Sequence, residues 1–172
     1  YEDILISTGF ERDVQDIDIA NELEAARRSQ RLSDAEARRL RSKFPRLALP
    51  KHAFRNRGNW NFEDVSAAWG FNTSGVSLGT ALADLDNDGD LDVIVNNMNG
   101  VAGIYRNESN APRLAVRLKG QPPNTRGIGA RLRVTCDGLP VQTQEMQSGG
   151  RYLSADDAMH AFAAGDMTNR LG

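Results

Sequence analysis

The chain is poor in cysteine, histidine and aromatic residues, and neither sign of charge is in large excess. Its one cysteine, Cys136, excludes a disulfide framework within the chain and a cysteine-rich metal site. Its 21 basic and 23 acidic residues give a net charge of −2, so no overall basic field points to nucleic acid as a partner. No apolar run approaches the roughly 20 residues of a membrane span. A hydrophobic content of 40% over 172 residues is typical of an ordinary soluble protein with one or two small domains.

Acidic residues are densest in one nine-residue stretch, DLDNDGDLD, at residues 84–92. Carboxylates at its first, third, fifth and ninth positions converge when the chain coils, and they repel one another unless a cation holds them. Oxygen ligands select a hard cation, and Ca²⁺ tolerates the irregular coordination of a flexible loop better than Mg²⁺ does. Gly89 permits the positive φ of the turn. We predict a calcium site whose ligands are side-chain oxygens of Asp84, Asp86, Asp88 and Asp92 and the carbonyl oxygen of Asp90.

The residues around this stretch argue against an EF-hand. An EF-hand places a bidentate glutamate at the twelfth position and a helix on each side, but the twelfth residue here is Val95. Residues 76–83 alternate in size and residues 93–95 are β-branched, which predicts a strand on either side of the loop. An acidic β-turn without an ion is the alternative, because DNDG is also turn chemistry.

Two short segments are repeated within the chain. Residues 1–10 align with the segment after the acidic stretch, which places Asp3 at the position of Asp92, and the triplet 54–56 recurs at 105–107. The first pair of markers is 89 positions apart and the second pair 51, so about 38 extra residues lie between the markers of the first copy. We interpret residues 1–15 as the tail of a preceding repeat and the extra residues as an insertion.

The insertion, residues 16–46, has a helical pattern. Ile19, Leu23 and Ala26 have the spacing of one helix face, and Ser33 with Glu36 forms an S-x-x-E capping box at the start of a second helix. We predict a helical hairpin. Eight Arg or Lys residues between positions 27 and 46 suit an anionic partner such as nucleic acid or a lipid head group, and a solvated helix face is the alternative.

The rest of the chain is predicted to be mainly β. Strands are expected at residues 112–118, 129–136 and 141–146, the last two joined across the hairpin signal Asp137-Gly138, whereas residues 156–164 have no clear preference. Four aromatic side chains are expected to pack between strands: Trp60, Phe62, Trp69 and Phe71.

One motif points to an enzyme. Gly75, Ser77 and Gly79 fit the G-x-S-x-G nucleophile elbow of the α/β-hydrolases, which needs a strand before the serine and a helix directly after it. The residues after Ser77 continue as a strand instead, and only His160 lies downstream as a base. We expect His52 and His160 to be structural or surface residues, and we predict that the chain is not an enzyme.

Several segments resemble known families. HAFRNRGNWNFEDVS at 52–66, GVSLGTALADLDNDGDLDVIVNN at 75–97 and GIYRNES at 103–109 resemble the FG-GAP/VCBS repeat of integrin-α-like β-propellers. GIGARLRV at 127–134, QEMQSGGRYLS at 144–154 and HAFAAG at 160–165 resemble the ASPIC/UnbV domain. The expected fold is mainly β: partial FG-GAP/VCBS propeller blades with an inserted α-helical hairpin, followed by a small β-rich ASPIC/UnbV domain. The corresponding boundaries are 47–110 for a complete repeat with its calcium loop and 111–172 for a truncated ASPIC/UnbV-like domain.

The resemblance implies four-stranded blades around an axis, with Ca²⁺ tying strands together. It therefore implies a calcium-binding, non-catalytic propeller segment, part of a longer secreted or cell-surface protein, extracellular or periplasmic, that acts in adhesion or protein–protein interaction. Expected partners are other protein chains or the rest of its own propeller. An accessory subunit or fragment docked in a larger complex is the alternative.

Overall fold

The structure, a computed structural model, describes residues 2–29 and 32–165. Its two helices and twelve strands follow the order β1, α1, α2, β2 to β12. The helices are α1 (Ile17–Ser29) and α2 (Asp34–Arg41). The strands are β1 (Ile4–Ile6), β2 (His52–Gly58), β3 (Asn61–Asp64), β4 (Ser77–Ala83), β5 (Asp92–Asn97), β6 (Gly103–Tyr105), β7 (Arg113–Arg117), β8 (Arg131–Val134), β9 (Gln142–Glu145), β10 (Gly150–Arg151), β11 (Ser154–Ala155) and β12 (Met159–Ala163). The predicted fold class is confirmed: the chain is mainly β, with one helical hairpin.

The chain divides into two compact units, Tyr1–Ser77 and Leu78–Gly172. The first contains the antiparallel sheet β1-β2-β3 and the two helices. The second contains the sheet β4-β5-β6 and three two-stranded pairs, β7 with β12, β8 with β9 and β10 with β11. Within the described residues each sheet has two or three strands, so the four-stranded blade implied by the resemblance is present only in part.

One strand pair in each three-stranded sheet has the register that the repeated segments predict. Ile4 pairs with Phe54 in the first sheet, and Val93 pairs with Tyr105 in the second. The aligned residues thus pair in the same register, although β1 is an edge strand of its sheet and β5 is the central strand of the other. This register confirms the correspondence between residues 54–56 and 105–107.

The helical hairpin forms the connection between β1 and β2. The chain is pinched where it leaves and returns: Asp13 N donates to Pro45 O at 2.9 Å and Leu47 N donates to Glu11 O at 2.8 Å. The predicted capping box is present, since Ser33 Oγ accepts from Glu36 N and the Glu36 carboxylate accepts from Ser33 N. Neither helix has a buried residue, so the two helices are not part of a core.

The prediction for the aromatic side chains is correct only for Phe71, which is 3% exposed. Trp60 is 95% exposed because it lies in the β2–β3 turn, where its φ is 61°. Phe62 lies on the edge strand β3 and is 36% exposed. Trp69 is partly exposed, and its ring lies 5.2 Å from the guanidinium carbon of Arg55, a cation–π distance.

The C-terminal strands are close to those expected. The β8–β9 hairpin encloses Asp137-Gly138, and Gly138 has the positive φ that this turn requires. The segment 156–164, which had no clear preference, contributes β12. That strand pairs antiparallel with β7 over its full length, from Met159 opposite Arg117 to Ala163 opposite Arg113. Local sequence does not reveal this pairing, because the two strands are far apart along the chain. The pairing stabilises β12 although its own β propensity is weak.

Candidate metal centre

The acidic stretch forms the loop between two neighbouring strands, β4 and β5. Asn87 and Gly89 have φ values of 61° and 89°, so the chain turns through the left-handed region at both residues. The Asp84 carboxylate accepts from Asp88 N and Gly89 N, each at 3.2 Å. These hydrogen bonds coil the loop around its first aspartate. The flanking strands confirm the predicted strand, loop, strand arrangement and exclude an EF-hand.

Three of the predicted ligands converge. Asp84, Asp86 and Asp88 each offer a carboxylate oxygen, and these oxygens lie within 4.8 Å of one another. Two unit charges at that separation repel by about 1 kcal/mol in bulk water and by about 3 kcal/mol near a protein surface. Asp84 is half-buried, while Asp86 and Asp88 are exposed. The three carboxylates therefore form an open, negatively charged cup.

Asp92 lies outside this group of three. It is 1% exposed, and each carboxylate oxygen accepts a backbone hydrogen bond: Oδ2 from Leu85 N at 2.9 Å and Oδ1 from Asn107 N at 2.8 Å. Asp92 thus ties the start of the loop to the segment after β6. In the first unit, Asp3 Oδ1 likewise accepts from Asn56 N at 2.8 Å, as the alignment of the repeated segments predicts.

Asp90 is the second buried carboxylate of the loop, at 4% exposed. Burial raises the pKa of Asp90, opposed by its contact with Arg113. Its Oδ2 contacts Arg113 Nη1, whereas its Oδ1 is buried without a hydrogen-bond partner among the described residues. The predicted ligand from this residue is its carbonyl oxygen, which the contact with Arg113 does not involve.

Two arginines near the loop were not predicted. Arg113 Nη1 lies 3.8 Å from Asp88 Oδ1 in addition to its contact with Asp90, and Arg106 Nη1 lies 3.7 Å from Asp86 Oδ2. Arg106 belongs to the repeated triplet 105–107, which places it beside the loop at the end of β6. No spacing in the sequence links Arg113 to the loop, because it lies on a separate strand.

The donor set suits a hard divalent cation. The groups that converge are oxygens, and within the described residues neither His52 nor His160 belongs to the cluster. The loop is fastened by hydrogen bonds at Asp84 and Asp92 and is exposed at Asp86 and Asp88. When bound, such an ion would supply positive charge at the centre of the cup. Asp84, Asp86 and Asp88 are the side chains placed to hold it.

Ser77 does not have the setting of a hydrolase nucleophile. It is the first residue of β4 and 1% exposed, and the chain continues from it as a strand. Its backbone N–H donates to Thr8 O at 2.6 Å. His160 Nε2 lies 3.1 Å from the carbonyl oxygen of Glu145, a structural contact within the second unit.

Comparison with protein families gives two matches. An FG-GAP-like repeat matches residues 50–95, a range that contains the whole acidic loop, and the ASPIC and UnbV family matches residues 120–171. No curated protein and no solved structure matches the chain significantly. Neither helix of the described residues is long and apolar enough to cross a membrane. The order of the two matches agrees with the architecture inferred from the residues: this chain carries an FG-GAP-like repeat followed by an ASPIC/UnbV domain.

Proposed function

We propose that this chain is a calcium-stabilised, non-catalytic segment that acts through protein–protein interaction. The observation that carries the proposal is the convergence of Asp84, Asp86 and Asp88 in a loop between two strands. In the unfolded chain these carboxylates are dispersed, so an ion bound by the folded loop adds its binding free energy to folding. Its role is to hold β4 and β5 together and to offset the repulsion within the loop.

Exposed apolar side chains at sheet edges support an interaction role. Ile104 on β6 is 68% exposed, and Val101 just before that strand is 89% exposed. In the first unit, Ile4 and Ile6 on the edge strand β1 are each more than two fifths exposed. Edge strands with apolar side chains pair readily with further polypeptide. We propose that other chains, or further blades of the same propeller, cover these edges, and that the protein acts in adhesion outside the cytoplasm, extracellularly or in the periplasm.

The same edges favour the second candidate, an accessory segment docked in a larger complex. The solution mass of the chain, measured alone and with candidate partner chains, separates the two. A discrete complex with another polypeptide supports the docked segment, whereas association only with propeller blades of its own protein supports the first proposal.

The calcium assignment is tested by calorimetric titration of the wild-type chain, Asp86→Ala and Glu108→Ala. Glu108 is the matched control because it is an acidic residue that also contacts Arg106 but lies outside the group of three. We expect saturable binding of one ion to wild type and to Glu108→Ala. We expect a loss of about tenfold or more in affinity for Asp86→Ala, since one charged ligand is missing. Equal heats for wild type and Asp86→Ala would remove the metal assignment.

A further inference from the structure

Arg113 is the point at which the metal loop meets the C-terminal strands. It lies on β7, and its guanidinium contacts Asp90 and approaches Asp88 to 3.8 Å, while its Nε donates to Ala111 O at 3.2 Å. Its side chain is 18% exposed and that of Asp90 is 5% exposed. A charge pair this well shielded from water is far less screened than a surface ion pair. The contact therefore restrains both the loop and the strand.

The tip of the loop also packs on β7. A side-chain carbon at Gly89 would lie 3.6 Å from the Ala115 Cβ and 4.0 Å from the Arg113 Cδ, so the backbone of the loop lies directly over these two residues. Ala115 is paired with Ala161 of β12. The loop therefore contacts β7 in two ways: van der Waals contact places the loop over the strand, and the ion pair is the attractive contact that ties the two together.

The strand before the loop is held by the same region of the chain. Ser154 Oγ donates to Thr80 O at 2.5 Å, Leu82 N donates to Asp156 Oδ1 at 2.8 Å, and Asp157 N donates to Leu82 O at 2.8 Å. Residues 154–157 therefore line β4 while β7 covers the loop tip. Two segments of the C-terminal region thus contact the metal loop and the strand before it: β7 contacts the loop, and residues 154–157, which lie within the ASPIC and UnbV match, contact β4.

We propose that Arg113 couples occupancy of the metal loop to the pairing of β7 with β12, so that calcium binding stabilises the C-terminal strand pair. The inference rests on the proposed function. Without an ion, the carboxylates of Asp84, Asp86 and Asp88 repel, the loop loosens and Asp90 moves with it. With the ion bound, Asp88 and the carbonyl of Asp90 are fixed, and Arg113 is held by partners that no longer move. Arg113 is a positioning residue, because it contacts ligand residues and not the ion.

The test is hydrogen exchange of the full chain, with and without calcium, on peptides that cover β7 and β12. In the wild-type chain we expect calcium to slow exchange in both strands by about tenfold, within the usual range of coupling between two sites. In Arg113→Gln the slowing should be confined to the loop and to β4 and β5. Arg113→Lys, which keeps the charge but not the fork, should restore part of the effect.

Arg117→Gln is the matched control. Arg117 lies on the same strand, but its ion pair is with Asp157, at 2.6 Å, and not with a loop carboxylate. Calcium should therefore still slow the exchange of β12 in this variant. Arg113→Gln leaves Asp90 buried without its partner, so the double variant Asp90→Asn with Arg113→Gln serves if the single variant does not fold. The double variant removes both charges and keeps the carbonyl of residue 90.

Calorimetry on the same samples separates the two proposals. If wild type binds no calcium, the proposed function fails and this inference fails with it. If wild type binds calcium but exchange in β7 and β12 does not respond, or responds equally in Arg113→Gln, the coupling through Arg113 is overturned while the calcium site stands. A response that is present in wild type and Arg117→Gln, and absent in Arg113→Gln, supports it.

Discussion

At the scale of single residues, Asp92 and Asp3 make the same kind of hydrogen bond in a buried and in an exposed setting. Each aspartate accepts the backbone N–H of the asparagine in a repeated triplet, at 2.8 Å in both cases. Asp92 is almost fully buried and accepts a second N–H from Leu85, whereas Asp3 is exposed. Asp92→Ala removes the buried acceptor of two backbone N–H groups, whereas Asp3→Ala removes one exposed hydrogen bond whose donor finds water.

We therefore expect Asp92→Ala to lower the free energy of unfolding by about 2–4 kcal/mol and Asp3→Ala to lower it by less than about 1 kcal/mol. Urea unfolding followed by circular dichroism measures both. A chelator keeps the loss of a metal ligand from adding to the result for Asp92. Equal losses in the two variants would show that burial does not decide the difference.

Spacing along the sequence identified the aspartates of the loop but not the separate tasks of their side chains. The D-x-D-x-D-G pattern has a local cause, because ligands of one ion must come from one short coil. The division between Asp84, Asp86 and Asp88 in the cup, Asp92 on backbone amides and Asp90 on an arginine is set by tertiary packing. Arg113 follows the loop by more than twenty positions and lies on a strand whose partner is β12. Nothing local could have indicated it.

At the scale of elements, the capping box of α2 was predicted because its signal lies within four residues. The hydrogen bonds from the hydroxyl and backbone N–H of Ser33 lower the pKa of Glu36, the hydroxyl first. A carboxylate whose pKa is lower in the folded state stabilises that state above the pKa it has when unfolded. This contribution is lost as the pH falls through the lowered folded value.

We expect amide protection in α2 to fall on acidification through that range in the wild-type chain. In Glu36→Gln it should lack this pH dependence, because the amide does not titrate. Hydrogen exchange of residues 34–41, read by NMR at neutral and acid pH, is the measurement. Glu24→Gln, on the exposed face of α1, is the control and should titrate as wild type does. If Glu36→Gln shows the same pH dependence as wild type, a group other than Glu36 causes it.

The helical hairpin is the second element with a test of its own. Residues 11–13 and 45–47 close the connection at its base, so we expect the sheet β1-β2-β3 to be stable without the residues beyond it. Replacing residues 14–44 by a short glycine and asparagine turn should leave the Asn56 amide as well protected from exchange as before. The deletion also removes Phe44, a buried apolar side chain that is 6% exposed. A loss of protection at the Asn56 amide would show that the hairpin stabilises the sheet.

At the scale of the whole molecule, the chain consists of small sheets whose edges carry apolar side chains. Periodicity identified most strands, since alternation is a local signal. The prediction of core packing failed for Trp60 and Trp69. The identity of an aromatic residue does not show whether it lies in a turn, beside an arginine or in a core. Periodicity also left β12 unassigned, because that strand exists by virtue of its pairing with β7. The internal repeat predicted strand register, which periodicity cannot, because aligned residues of the two copies pair with aligned partners.

The proposed cation gathers the carboxylates of the loop and holds β4 to β5. The most direct measurement is a crystal structure of the chain grown in saturating calcium, with anomalous scattering used to identify the ion. We expect a single calcium peak in the loop, with oxygens of Asp84, Asp86 and Asp88 and the carbonyl oxygen of Asp90 at about 2.3–2.6 Å, and strands on both sides. A loop with no ion under those conditions, its carboxylates turned apart into solvent, would contradict it.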